Sequence, residues 1–175
     1  MKICLIGFMG CGKSTLGKQL AESLKLEFID LDSAFEEKYH MEITSFFNWF
    51  GEVKFRELET QLLESLLQKD DFVLSTGGGT PCFNNNMELI KKHALSVYIK
   101  LPFAILNERL IHTRKKRPII QHINEDELLS FIENIVPKRE EFYVQADIIL
   151  NSDTFNVNKT SIIIQKKILE KLKIK

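Results

Sequence analysis

Gly7-Phe8-Met9-Gly10-Cys11-Gly12-Lys13-Ser14 is a stretch whose residue types and spacing dictate a chemistry unaided. It satisfies G-x-x-x-x-G-K-[ST] and lies between an apolar run, Ile3 to Ile6, and a helical pattern that begins at Lys13. Glycines at 7, 10 and 12 permit the backbone angles that turn successive N–H groups inward, making a nest for an anion. The helix that follows aims its positive end at the same point. Lys13 adds a point charge suited to the β- and γ-phosphates of a nucleoside triphosphate. The Ser14 hydroxyl is a hard oxygen donor suited to Mg²⁺. Cys11 sits inside the loop, where a helix N-terminus can activate a thiol; the plainer reading is a small side chain that tolerates the turn.

Other polar groups are ambiguous on their own. Asp30 and Asp32 are two residues apart at the end of a short apolar segment, so in an extended chain both point the same way. That suits two carboxylates dividing work beyond a strand's carboxyl end, but Asp32 could equally cap the helical segment that follows. Arg56, one residue after Phe55 in an amphipathic stretch, reads as a solvated arginine. Gly77-Gly78-Gly79 allows close approach of backbone to a ligand, or is a flexible turn. Arg114, Lys115, Lys116 and Arg117, followed by Pro118, form a charge run in a long segment without apolar periodicity, which favours a functional loop.

These groups need a frame. Short apolar runs at Ile3–Ile6, Glu27–Leu31, Phe72–Ser75, Leu95–Lys100 and Asp147–Leu150 predict strands. Between them, Leu16, Leu20 and Leu24 recur every four residues, and Ser33–Met41 is polar and helical. An aromatic-rich segment, Ile43–Phe50, precedes a long helix over Glu52–Gln68. Asn84 is placed to cap a helix over Met87–His93, and Pro102 to open one that runs to about Ile111. Glu125 to about Phe142 is helical with Pro137 as an expected kink, and Val157–Leu172 is the final helix. Alternating strands and helices, the strands short and apolar, predict an α/β fold on a parallel sheet.

The 175 residues suit one domain, 1–175, without repeats or linkers. Lys plus Arg equals Asp plus Glu at 24 each, so any anion site must be local; neither nucleic acid nor an acidic membrane is expected as a partner. Three cysteines without metal spacing, a short N-terminal apolar run and no 20-residue apolar stretch predict a cytoplasmic protein.

GFMGCGKST, FIDLD, the FRELE stretch, LSTGGGTP, RP after a basic run and KREEFY occur here in an order that resembles shikimate kinase. The resemblance covers essentially the whole chain, from about Ile3 to the final helix. It implies a three-layer P-loop kinase fold, a five-stranded parallel sheet flanked by helices. It also implies a substrate-binding segment at about 31–60 and a mobile lid at about 111–125. The activity implied is transfer of the γ-phosphate of MgATP to the 3-hydroxyl of shikimate by a monomer. Nucleotide contacts then fall to Gly10, Cys11, Gly12, Lys13, Ser14 and Thr15. Arg109 is implied on the adenine side, with the segment from Asp153 to Asn156, and Arg117 on the phosphates as an arginine finger supplied in cis. Ser14 and Asp30 are implied at Mg²⁺, and Asp32 at the acceptor hydroxyl. Arg56 and Arg139 are implied on the acceptor carboxylate, and Gly77, Gly78 and Gly79 along the pocket wall. Ile43, Phe47, Phe55 and Pro118 match apolar wall positions, with Trp49 in the same region. The third strand ends in Ser75-Thr76 rather than in an aspartate, and the family shares that feature.

Two other readings are open to the sequence: another P-loop small-molecule kinase, acting on gluconate or a nucleotide, and a non-catalytic nucleotide-binding switch. The first lacks the FR and GGG blocks. The second would need switch loops and a partner surface.

Overall fold

In the computed structural model the described residues are 1–113, 119–151 and 157–173. Five strands alternate with helices: β1 (Lys2–Ile6), β2 (Glu27–Asp30), β3 (Phe72–Ser75), β4 (Leu95–Lys100) and β5 (Ile148–Asn151). They form one parallel sheet in the order β2-β3-β1-β4-β5. The central strands β1 and β3 are buried on both faces, which is why they read as unbroken apolar runs. At the edge, β5 alternates buried and exposed residues.

The helices are α1 (Lys13–Leu24), α2 (Leu31–Tyr39), α3 (Ile43–Leu67), α4 (Asn86–His93), α5 (Phe103–Ile111), α6 (Glu125–Tyr143) and α7 (Val157–Lys173). Right-handed crossovers, the near-universal hand for parallel units, put α1 on one face and the connections after β2, β3 and β4 on the other. Helix α7 returns to pack on α1. The chain therefore leaves the neighbouring strands β1 and β3 toward opposite faces. That opens a crevice at their carboxyl ends, the place where open parallel sheets bind ligands. Among the described residues no helix is long and apolar enough to cross a membrane.

Three expectations are corrected. Helix α2 begins at Leu31 rather than Ser33, and its cap is Asp30, whose Oδ1 accepts the N–H groups of Asp32 (3.1 Å) and Ser33 (3.4 Å). Asp32 is thus released from capping. The aromatic segment and the long helix are joined as α3, broken at Gly51, where φ is 77° and ψ 169°. Asn84 does not cap α4. Asn85 precedes that helix, and the Asn84 amide donates instead to the Arg56 carbonyl (3.2 Å) and Thr60 Oγ1 (3.0 Å). The chain stays helical through Pro137. Both Pro137 and Glu133, whose carbonyl loses its donor, are exposed, so water satisfies what the ring removes.

Candidate active site

The loop after β1 adopts the backbone its glycines were expected to allow: φ is 143° at Gly7, 80° at Gly10 and 96° at Gly12. No side chain caps α1, so its first N–H groups are left to an anion. Lys13 is buried. Its Nζ donates to the carbonyls of Gly7 (2.9 Å) and Phe8 (3.1 Å) and lies 3.8 Å from Cys11 Sγ. Cys11 is itself buried, which favours the small-side-chain reading.

Sheet register builds the next piece. Asp30 and Leu5 both stand level with Ser75, at the carboxyl ends of β2, β1 and β3. The Ser14 hydroxyl, one residue into α1, donates to Asp30 Oδ2 at 2.6 Å and lies 3.3 Å from Ser75 Oγ. Asp30 thus divides its oxygens: Oδ1 holds the end of α2 and Oδ2 faces the phosphate loop. The donors here are hydroxyl and carboxylate oxygens only, and few. Among the described residues no group of three or more His, Cys, Asp or Glu forms a cage. That set fits Mg²⁺, which keeps most of its waters and takes one or two protein oxygens plus phosphate. A cleft of about 660 Å³ surrounds this point, lined by Lys13, Ser14, Thr15, Asp30 and Asp32 among others.

Arg109, on α5, also lines this cleft, and its Nη1 donates to the Gly10 carbonyl at 3.1 Å. That is a bond to the phosphate loop, where the resemblance implied an adenine contact. Arg117, Pro118, Arg114, Lys115, Lys116 and the Asp153–Asn156 segment lie outside the described residues.

A second cavity of about 380 Å³ adjoins the first and shares Met9, Asp32, Gly78 and Thr113 with it. Ile43, Phe47 and Phe55 line it as expected. Trp49 belongs to the same segment, on the first half of α3, and stands 78% exposed. Arg56 also lines this cavity and is only 5% exposed, so the solvated reading fails. Its guanidinium is packed over the rings of Phe83 (4.4 Å) and Phe55 (5.0 Å). Nη1 donates to Glu59 at 2.9 Å, while Nε and Nη2 donate to Glu52 at 3.2 and 3.0 Å. Glu59, 1% exposed, also accepts from Thr80 Oγ1 at 2.7 Å. A carboxylate this deeply buried is tolerable because both oxygens are satisfied.

Arg139, on α6, is 9% exposed and stacks over Phe8 at 5.4 Å. Its Nη1 is buried with no hydrogen-bond partner. A buried unpaired guanidinium N–H is costly, and such groups mark places where a ligand supplies the acceptor.

The three glycines between β3 and the short turn at Thr80–Cys82 explain how these groups meet. None has positive φ; what they provide is room. A Cβ on Gly79 would stand 2.5 Å from Arg56 Nη2, one on Gly77 2.9 Å from Asp32 Oδ1, and one on Gly78 3.0 Å from the Met9 nitrogen. The Gly78 carbonyl accepts from the Tyr143 hydroxyl. Burial pushes Tyr143 well above its ordinary pKa, and it pushes the Cys82 thiol up to about 11 despite the nearby Arg139 and Arg56 charges.

Glu59, Thr80, Tyr143 and Ser75 are site residues that sequence reasoning missed. Glu52 and Glu59 stand at i−4 and i+3 from Arg56 on one helix, so that pairing was legible. Tyr143 stands four residues beyond Arg139 in the same way. Nothing local marked Thr80, and Ser75 stood out only as the end of a strand that lacks an aspartate there.

A family model described as shikimate kinase matches residues 9–173. A shikimate kinase from Azobacteroides pseudotrichonymphae is 47% identical over 149 residues, which are 85% of this chain and 88% of that protein. The crystal structure of shikimate kinase from Bacteroides thetaiotaomicron aligns at a TM-score of 0.87 and 39% identity, covering 96% of this chain and 97% of that one. The shikimate kinase from Acinetobacter baumannii, solved in complex with shikimate, aligns at a TM-score of 0.88 and 33% identity, over 97% and 93% of the two chains.

Proposed function

The chain belongs to the shikimate kinase family, and on that premise we propose that it moves the γ-phosphoryl group of MgATP onto the 3-hydroxyl of shikimate, releasing shikimate 3-phosphate and ADP. The observation that carries the reading is the joining of two cavities at Asp32: one under the phosphate loop, the other bounded by buried Arg56, with the unpaired Arg139 Nη1 near Gly78.

Phosphoryl transfer through a loose transition state asks for positioning and charge stabilisation more than for covalent help. The loop N–H groups and α1 hold the β- and γ-phosphates, and Lys13 exchanges its two carbonyl partners for phosphate oxygens. Ser14 and Asp30 would hold Mg²⁺, which when bound would supply positive charge against the phosphate oxygens. Asp32 orients the acceptor hydroxyl or takes its proton from the junction of the cavities. Arg56 and Arg139 receive the acceptor carboxylate, and a neutral sugar would leave Arg139 unsatisfied. Arg117 is assigned to the phosphates from the family pattern alone, within a lid at about 111–125. The protein acts as a cytoplasmic monomer of one domain. Acceptors such as gluconate or a nucleotide are not favoured by a family match that spans residues 9–173.

The test is a coupled ADP-release assay over a panel of hydroxy acids, sugars and nucleotides. Equal rates with shikimate and with no acceptor would overturn the proposal. Arg56→Ala should raise KM for shikimate far more than for ATP, whereas Lys13→Ala should abolish turnover with every acceptor.

A further inference from the structure

Arg56 enters the acceptor cavity with three of its N–H groups already donating to two carboxylates. A guanidinium takes a carboxylate bidentately along one of its N–H edges. The Nε–Nη2 edge is held by a single oxygen of Glu52, and the other edge contains Nη1, which donates to Glu59. An incoming carboxylate that grips the Nε–Nη2 edge takes the place Glu52 now holds, and one that comes to the other edge shares Nη1 with Glu59.

The two acids are not equivalent. Glu59 is enclosed and tied by its second oxygen to Thr80. Glu52 has a side chain 50% exposed and is held only through Arg56 among the described contacts. It follows Gly51, where the helix breaks and where nothing lies within 4 Å of the position a Cβ would take. Water and local backbone freedom are both available to Glu52 once it lets go. Glu59 has neither.

We infer that Glu52 is a built-in competitor for the acceptor's carboxylate, holding the Arg56 fork in the empty protein and yielding it to a substrate anion. The inference rests on the acceptor reading above and adds a specificity device to it. Before an acceptor arrives, the exchangeable acid spares Arg56 the cost of an unpaired buried cation. A ring that carries hydroxyls but no carboxylate has nothing to offer Arg56 in return, so Glu52 stays and the fork remains closed. A carboxylate-bearing ring replaces one ion pair with another and gains a contact with Arg139 besides.

The competition lowers apparent affinity by the fraction of molecules in which the fork is taken. Because the Glu52 partner is half-exposed and screened by water, its removal should tighten acceptor binding about two- to sixfold. The experiment is steady-state ADP release with shikimate varied at saturating MgATP, on the full chain, for wild type, Glu52→Gln and Glu52→Ala. Calorimetric titration of shikimate into each protein runs in parallel. The expected result is a fall in KM and Kd for shikimate in both variants, with KM for MgATP unmoved. Glu57→Gln, which removes an acid of the same helix from an exposed pair with Lys54, should leave shikimate affinity unmoved. A shikimate KM that is unchanged or raised in the Glu52 variants means that Glu52 only steadies Arg56, and the inference is overturned. Absence of shikimate-dependent ADP release in wild type is a different failure, that of the proposed activity itself.

Discussion

Gly79→Ala moves one methyl group against Arg56, the arginine proposed to bind the acceptor, where its guanidinium cannot yield. The backbone accepts it: Gly79 has φ −93° and ψ −21°, a right-handed conformation open to alanine. The side chain does not fit. Its Cβ would stand 2.5 Å from Arg56 Nη2, 2.9 Å from Cζ and 3.0 Å from Nη1. Relieving that to ordinary contact demands a shift of about 0.9 Å. Arg56 cannot swing into solvent to make room, because Phe83 and Phe55 flank its guanidinium and Glu59 holds Nη1. A displacement near 1 Å at a substrate-positioning group costs on the order of 100-fold, or about 2.7 kcal/mol of transition-state binding. The loss should appear in kcat/KM for shikimate, measured by ADP release at saturating MgATP. KM for MgATP should stay within about twofold, because uniform binding of the nucleotide is untouched. A thermal melt checks that the variant is folded. If the variant keeps kcat/KM for shikimate within about threefold of wild type, or loses on the nucleotide side equally, Arg56 is not held where the acceptor carboxylate binds.

Two further outcomes follow from buried and half-buried polar groups. Tyr143→Phe removes the donor to the Gly78 carbonyl and should lower unfolding free energy by about 1–3 kcal/mol in a denaturant titration; a loss under about 0.5 kcal/mol would mean that water replaces the hydroxyl. Asp147, remote from the site, is raised by burial, but bonds from the Ser96 N–H, the Ser96 hydroxyl and Lys171 outweigh that and hold it below its ordinary value of 3.8. A depressed carboxyl stabilises the fold above its unfolded pKa and loses that contribution as pH falls through the folded one. Asp147→Asn should therefore melt lower than wild type at pH 7, the two curves converging as pH falls below that ordinary value. A gap that persists unchanged in acid would assign the effect to the Ser96 bonds alone.

Legibility in the sequence followed the range of the interactions involved. The phosphate loop was readable because its eight contiguous residues carry the whole device: three glycines at the required angles, a lysine, a serine and a helix behind them. The strands were readable because each must be apolar to lie between layers. The fault lines appear where one residue's role depends on another far along the chain. Asp30 and Asp32 could not be told apart from their spacing; Asp30 took the cap only because β2 ends level with Ser75 and brings its second oxygen to Ser14. Asn84 looked like a cap until α3 passed close enough to claim its amide.

What the amino-acid order determined by itself was the parallel α/β architecture and the phosphate cradle, since backbone angle, helix polarity and apolar period are local properties. Folding decided the rest. An exposed-looking arginine on an amphipathic helix became a buried fork because the turn after β3 lacks side chains and lets it in, and Arg139, 61 residues further along the chain, came to lie beside Gly78. Burial is a property of every neighbour at once, so no window of sequence records it.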